Sequence, residues 1–389
     1  MSYSVALFCP DTHVVYNLHT LDEQGIGGGI TARIRIAHAL AESGHSVTVY
    51  NHCPRRQDIH GVQYIPFVQA QEIDTDVFIA GTSGGHLDLA SVNQLELHSS
   101  LKILMVHGND PPSGVDLSFF DNIYSLSNFV SDRIRSTWKV PGERIFTSYR
   151  GVKEDYYRKL PDTGTERDPF GLVFLSHPSK GLSTALDLVG RLRMKHPAFN
   201  LHIYGGYGLW GDQDQPIEKR PNVYYHGLLG QKELARELGN YSFAVFLQDR
   251  QEPFGISMIE SMKAGCIPLA SKVGAFPELI ADGVNGFLMD ENAPDSGIAA
   301  AAKIILDLID DEADAARIRE NARAAPLSWV EIASSWTGHW DYALDRREQP
   351  ARPGDTGSCP VCLVDVLALA DGHHCPGCGR YWKEALLDD

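Results

Sequence analysis

The sequence predicts an α/β protein made of two doubly wound halves facing each other across a cleft, and three observations predict it. Short apolar strands alternate with amphipathic helices along most of the chain. The alternation runs through twice, once on each side of a polar link at residues 161–169, PDTGTERDP. At 389 residues the chain is too long for one hydrophobic core, and two βα arrays of about 150 residues give two doubly wound domains.

In the first half, residues 5–8 read as a strand, followed by a long loop through His13 and His19. Gly27, Gly28 and Gly29 open an amphipathic helix over 30–43, where Ile34, Ile36, Ala37 and Leu40 recur at near-helical spacing. Gly44-His45 ends that helix and 47–50 forms the next strand, completing a βαβ unit. Glycines at a helix start let a ligand approach its N-terminus closely. The run is not a GxGxxG fingerprint, and a loop-only reading accounts for it equally well. Further strands follow at 77–80, 102–106, 122–125 and 144–148. The strand 102–106 runs straight into His107, at the carboxyl edge where open α/β sheets bind ligands. A capping histidine would occupy the same place.

The second half repeats the pattern. Strands are expected at 170–175, 201–204, 223–225, 241–247 and 267–270, and helices at 182–195, 231–238, 256–264, 298–309 and 313–325. Its centre is the stretch 251–260, QEPFGISMIE, where Glu252 and Glu260 bracket a Pro-Phe-Gly turn and a helix start. The strand 241–247 precedes it and Gly265 closes the helix as a left-handed cap. Free N–H groups and the positive dipole end suit a phosphate near Gly255 and Ile256. Two solvated glutamates beside an ordinary helix are the plain alternative.

Composition narrows the partners. The formal net charge of −16 disfavours nucleic acid, whose backbone needs clustered Lys and Arg. No apolar run approaches the roughly 18 residues that span a bilayer, and the N-terminus reads as a strand instead of a signal peptide. Cys9, Cys53 and Cys266 stand alone and four more cluster at the C-terminus, a pattern that fits a reducing cytoplasm.

Residues 241–289 resemble the diagnostic region of the GT-B-fold, retaining glycosyltransferases of the GT4 type (group 1). They hold the E-x7-E pair Glu252 and Glu260, the Pro-Phe-Gly turn, Ala-Gly-Cys-Ile-Pro at 264–268, Gly-x-x-Pro-Glu-Leu at 274–279 and Asp-Gly-x-Asn-Gly-Phe-Leu at 282–288. Gly27-Gly28, Gly44-His45, His107, Ser127-Asn128-Phe129, Ser179-Lys180-Gly181-Leu182 and Ser328-Trp329 agree in order and spacing. The resemblance covers residues 1–346. It implies two Rossmann-like domains, an acceptor domain at 1–160 and a nucleotide-sugar domain at 161–327, with a helix at 328–347 crossing back to the first.

It also implies roles. Glu260 would receive the ribose hydroxyls, and Glu252 would hold hydroxyls of a hexosyl-type donor. Phe254, Gly255 and Ile256 would line the sugar and diphosphate, with Gly27 and Gly28 beneath the phosphate or acceptor. Lys180 would neutralise the leaving diphosphate, and His107 would contact the donor sugar through its ring or carbonyl. Attack would be front-face, with the leaving phosphate taking the acceptor's proton and with no catalytic metal. The acceptor, whether saccharide, small molecule or protein, and any homo-oligomer are not specified. Family members commonly carry an arginine shortly before this lysine, where this chain has Ser176, His177 and Pro178. Either another base such as Arg150 helps, or the phosphate site is weaker. A GT-B-fold binding or scaffold protein that keeps the nucleotide-sugar site and recruits a partner through a C-terminal zinc ribbon is the alternative function.

The C-terminus departs from the family. In the module 355–389, Cys359-x-x-Cys362 and Cys375-x-x-Cys378 make two knuckles with residues 363–374 between them. Four thiolates at this spacing predict a structural Zn²⁺ ribbon. Such a module is too short for much core of its own, so the metal supplies its stability.

Overall fold

In a computed structural model of the protein, the described residues are 2–83, 87–158, 167–210, 212–213, 219–290, 294–348, 367–369, 372–374 and 381–382. The chain divides into two compact units. One comprises Met1–Asn17, Ala32–Arg150 and Trp329–Asp389, the other Leu18–Thr31 and Gly151–Ser328.

The first unit holds strands β1 (Ser4–Phe8), β2 (Ser46–Asn51), β3 (Gln57–Ile59), β4 (Val62–Pro66), β5 (Glu72–Gly81), β6 (Glu96–Met105), β7 (Asn122–Ser125) and β8 (Ile145–Thr147). Their order is β3-β4-β2-β1-β5-β6-β7-β8. Every neighbour pair is parallel except β3 with β4. The central strands β1 and β7 are buried almost throughout instead of alternating, as strands of a parallel sheet covered on both faces are. The antiparallel edge was not expected from sequence. Its turn places His60 and Gly61 at φ +47° and +79°, so Ile-His-Gly-Val is a two-residue hairpin with histidine where asparagine is usual.

The helices, in chain order, are α1 (Thr20–Glu23), α2 (Gly28–Glu42), α3 (Asn128–Thr137), α4 (Leu182–Arg193), α5 (Gln231–Leu238), α6 (Ile256–Ala264), α7 (Phe276–Leu279), α8 (Pro294–Asp310), α9 (Glu312–Ala324) and α10 (Trp329–Glu348). The apolar stripe of α10 is buried at Trp329, Ile332, Trp336 and Trp340. Two of its side chains form hydrogen bonds as it packs in the first unit. Trp336 Nε1 donates to Ser148 Oγ at 2.6 Å, and His339 Nδ1 lies 2.6 Å from the Tyr124 hydroxyl.

The second unit holds β9 (Asp168–Ser176), β10 (Asn200–Gly205), β11 (Val223–Gly227), β12 (Tyr241–Phe246), β13 (Ile267–Ser271) and β14 (Phe287–Met289). The sheet is wholly parallel in the order β11-β10-β9-β12-β13-β14. Strand order therefore reverses between β9 and β12, the position where doubly wound sheets open a crevice at their carboxyl edge. Leu172, Phe174, Leu188, Val245, Leu269 and Ile305 belong to the core that covers this sheet. After β12, α6 ends at Gly265 (φ +90°), with Gly265 N donating to Met262 O and Cys266 N to Ser261 O. That pair of bonds is a Schellman cap, and it starts β13 at once.

A small antiparallel sheet joins β15 (Leu367–Leu369), β16 (Gly372–His374) and β17 (Tyr381–Trp382) in that order. Cys359, Cys362, Cys375 and Cys378 lie outside the described residues. Among the described residues no helix is long and apolar enough to cross a membrane.

Trp336 is nearly inaccessible and anchors α10. Truncating it to Ala is expected to cost about 3–5 kcal/mol. Trp336→Phe keeps most of the volume and gives up the Ser148 bond, for about 1 kcal/mol. Urea unfolding should rank the parent, the Phe variant and the Ala variant in that order.

Candidate functional site

The loops that follow β9 and β12 flank the reversal point of the second sheet, and they carry Lys180 and Glu252 respectively. Lys180 Nζ stands 2.7 Å from Glu252 Oε2. Gln248 Nε2 donates to the same oxygen at 3.3 Å. The side chains keep 21% and 11% of their exposure, so the pair is screened on most sides but open to a ligand.

Two glycines make this approach possible. Gly181 has φ +94°, and a Cβ there would fall 2.0 Å from the Leu247 carbonyl oxygen. Gly274 has φ +56°, and its Cβ would fall 2.1 Å from the Glu252 carbonyl oxygen. With no side chain in the way, Ala275 N donates to Glu252 O and Gly274 N to Gln251 Oε1, each at 2.9 Å. The backbone under Glu252 is pinned from below while its carboxylate faces Lys180.

The turn beyond Glu252 prepares a helix N-terminus. Phe254 is buried. Gly255 caps α6 in the left-handed region at φ +105° with no side-chain cap bond, which leaves the first-turn N–H groups without that partner. Gly28, which belongs to this unit, packs on the same turn, since its Cβ would lie 3.3 Å from Ile256 Cδ1. Gly27 lies near the Leu209 carbonyl, with its Cβ position at 3.7 Å. Glu260 is buried along α6, and Gln231 Nε2, from the start of α5, donates to its Oε1 at 2.6 Å.

Sequence reasoning missed a second group beside Lys180. The His177 ring stacks on Trp210 at 3.8 Å with a 7° interplanar angle. His177 Nδ1 pairs with Ser179 Oγ at 2.8 Å and Nε2 with Asp212 Oδ2 at 3.1 Å. Burial lowers the His177 pKa against the opposite pull of Asp212. The Arg250 guanidinium carbon is 4.9 Å and Lys180 Nζ 5.8 Å from the centroid of the Trp210 ring. Their common signal was positional, because 177, 210 and 250 each follow the carboxyl end of a strand near the reversal point.

In the first unit, His107 follows β6 as expected and is buried. Its N–H donates to Thr82 Oγ1 at 2.9 Å, while Arg150 Nη2 donates to the Val106 carbonyl at 3.0 Å. The peptide that carries His107 is thus held at both ends. Its Nε2 is buried with no hydrogen-bond partner among the described residues. Burial, reinforced by Arg150 and Arg33, lowers the His107 pKa well below the usual value. Arg33 is neutralised by Asp11, whose Oδ1 and Oδ2 accept from its guanidinium at 2.5 and 2.9 Å. Arg150 is committed to the carbonyls of Ser148 and Val106 and is pushed down to about 9 by burial.

Two units with parallel sheets and this site invite comparison with known proteins. Residues 172–325 match the family described as glycosyl transferases group 1. The matched segment runs from β9 through α9 and so contains Lys180, Glu252 and Glu260. An uncharacterized glycosyltransferase of Methanocaldococcus jannaschii is 27% identical over 58% of this chain and 64% of its own length. The sucrose synthase of Acidithiobacillus caldus is 25% identical over 82% of this chain and 44% of its own. The chain therefore spans less than two thirds of either relative. The Anabaena protein HepE, solved in complex with UDP-glucose, superposes with a TM-score of 0.62 at 18% identity, covering 87% of this chain and 99% of that one. The fold is GT-B-like, with two α/β domains and parallel sheets.

The buried His107 makes stability depend on pH with a definite sign. Its folded pKa lies below the unfolded value of about 6.5, so the unfolded chain binds more protons in acid and stability falls as pH drops through that value. Replacing His107 with Gln should shrink the loss of unfolding free energy between about pH 7 and about pH 5. Urea titrations of both proteins at the two pH values check it, and an unchanged loss would contradict the buried, neutral imidazole.

Proposed function

We propose that the protein is a retaining glycosyltransferase that moves a hexosyl-type residue from a nucleoside-diphosphate sugar to an acceptor. The observation that carries this reading is the Lys180–Glu252 pair, held 2.7 Å apart at the reversal point of a group 1 domain. A cation there can take up the charge that develops on a leaving diphosphate, and a carboxylate beside it can hold sugar hydroxyls. The N-terminus of α6, opened by Gly255, adds N–H donors and a positive dipole end for the same phosphate. Glu260, now bound by Gln231, is assigned the ribose hydroxyls.

In the first unit we assign His107 a contact with the transferred sugar, as a neutral hydrogen-bonding partner. Its low pKa suits that role, since a neutral imidazole adds no charge to compete with an oxocarbenium-like centre. The reading asks for no catalytic metal, because Lys180 and the helix terminus supply the positive charge. The UDP-glucose bound by HepE makes a uridine diphosphate sugar the first donor to try. Three buried free thiols, Cys9, Cys53 and Cys266, support a reducing compartment such as the cytoplasm.

Glu252→Gln and Lys180→Ala are each expected to cut transfer by about 100-fold or more. A panel of UDP-, GDP-, ADP- and dTDP-sugars, followed by release of the nucleotide, measures it. Undiminished transfer in both variants would sink the site assignment.

For the C-terminal module we propose one structural Zn²⁺ held by Cys359, Cys362, Cys375 and Cys378. Two CxxC pairs supply the four thiolates that tetrahedral Zn²⁺ takes, and the second pair stands in the chain between β16 and β17. Elemental analysis of protein purified without chelator should find one zinc per chain, and Cys375→Ser should lose it.

A further inference from the structure

The Lys180–Glu252 pair leaves a charge deficit. One lysine facing one carboxylate at 2.7 Å sums to no net charge, whereas a nucleoside diphosphate brings at least two negative charges. Diphosphate binding at this place therefore calls for a second cation within reach of the same space. The expected position just ahead of Lys180 is taken by His177 and Pro178. His177 is committed on both ring nitrogens, to Ser179 and Asp212, and its ring lies flat on Trp210. Arg150 is committed to backbone carbonyls in the other unit.

Arg250 meets the requirement. It lies two residues before Glu252 in the loop after β12, is exposed, and shares an aromatic ring with Lys180. Trp210 holds the guanidinium at 4.9 Å and the ammonium at 5.8 Å from its centroid. Cation–π attraction of this kind keeps two like charges near one another without neutralising either. A phosphate forms shorter, charge-assisted bonds with both groups and would displace the indole from them. Guanidinium also suits the task geometrically, since its fork can address two phosphate oxygens at once.

We propose that Arg250 is the second cation of the diphosphate site, and that Trp210 is the aromatic rest that holds Arg250 beside the Lys180–Glu252 pair. This rests on the donor class proposed above. It adds that the arginine comes from the loop carrying Glu252, on the opposite side of the reversal point from Lys180. The Trp210 ring follows β10, so three consecutive members of the sheet, β10, β9 and β12, each contribute one group.

The test uses the full chain and calorimetric titration with UDP, GDP, ADP and dTDP, with the matching nucleosides as controls. The preferred diphosphate should bind the parent measurably, and Arg250→Gln should weaken it about tenfold or more. Arg250→Lys should recover part of the loss, since it restores charge without the fork. Nucleoside binding should be unchanged by Arg250→Gln. Diphosphate binding should also change the protein's tryptophan emission, and Trp210→Phe should abolish that change while leaving the fold intact by circular dichroism. If the parent binds no diphosphate, the donor class itself is wrong. Should it bind one that Arg250→Gln holds equally well, the donor class stands and the role of Arg250 falls. Equal weakening of nucleoside and diphosphate would place Arg250 on the nucleoside half and overturn the proposal. An emission change that survives in Trp210→Phe would overturn the role of the indole.

Discussion

The second unit is organised by one constraint, the parallel pairing of β9 with β12 at the point where strand order reverses. That pairing sends two loops out of the same edge in opposite directions and lets their side chains meet. The ion pair of Lys180 and Glu252 is its product. It depends on backbone approaches that a side chain would block, at Gly181 against the Leu247 carbonyl and at Gly274 against the Glu252 carbonyl. Two glycines far apart in sequence therefore serve one distance of 2.7 Å.

Each acidic group of the site has a donor within the protein. Glu252 is held by Lys180 and Gln248, and Glu260 by Gln231. Such partners aim the two carboxylates before any other hydrogen bond is made. The cations are treated differently. Arg250 lies over the Trp210 indole, a weak partner, next to the Lys180 that Glu252 holds.

The first unit uses burial in place of openness. Arg33 is matched by Asp11, but Arg150 is surrounded by carbonyls, and its charge, together with desolvation, holds the His107 imidazole neutral. Arg150 also fixes the peptide on which His107 sits. Position 150 thus carries a buried cation whose effect falls on a neighbouring titratable group. The tryptophans of α10 close this unit around the same residues, through the bond from Trp336 to Ser148.

Much was legible in the order of the residues. Strands such as Tyr241–Phe246 and helices such as Gln231–Leu238 and Ile256–Ala264 follow from apolar runs, periodicity and a glycine cap, all of which act over a few neighbours. The E-x7-E spacing singled out the two candidate glutamates for the same reason, since both sit on one short loop and helix. The β3–β4 hairpin escaped because histidine replaces asparagine at its turn, and β14 escaped because only three residues pair. What the chain order could not reveal was which loops share an edge. The strand order 11-10-9-12-13-14 brings His177, Trp210 and Arg250 around Lys180 from loops after three different strands, and sequence separation carries no trace of that meeting. Local chemistry wrote the elements and the acidic motif; the pairing of parallel strands, a long-range choice driven by burial of both sheet faces, decided which cations and which ring attend it.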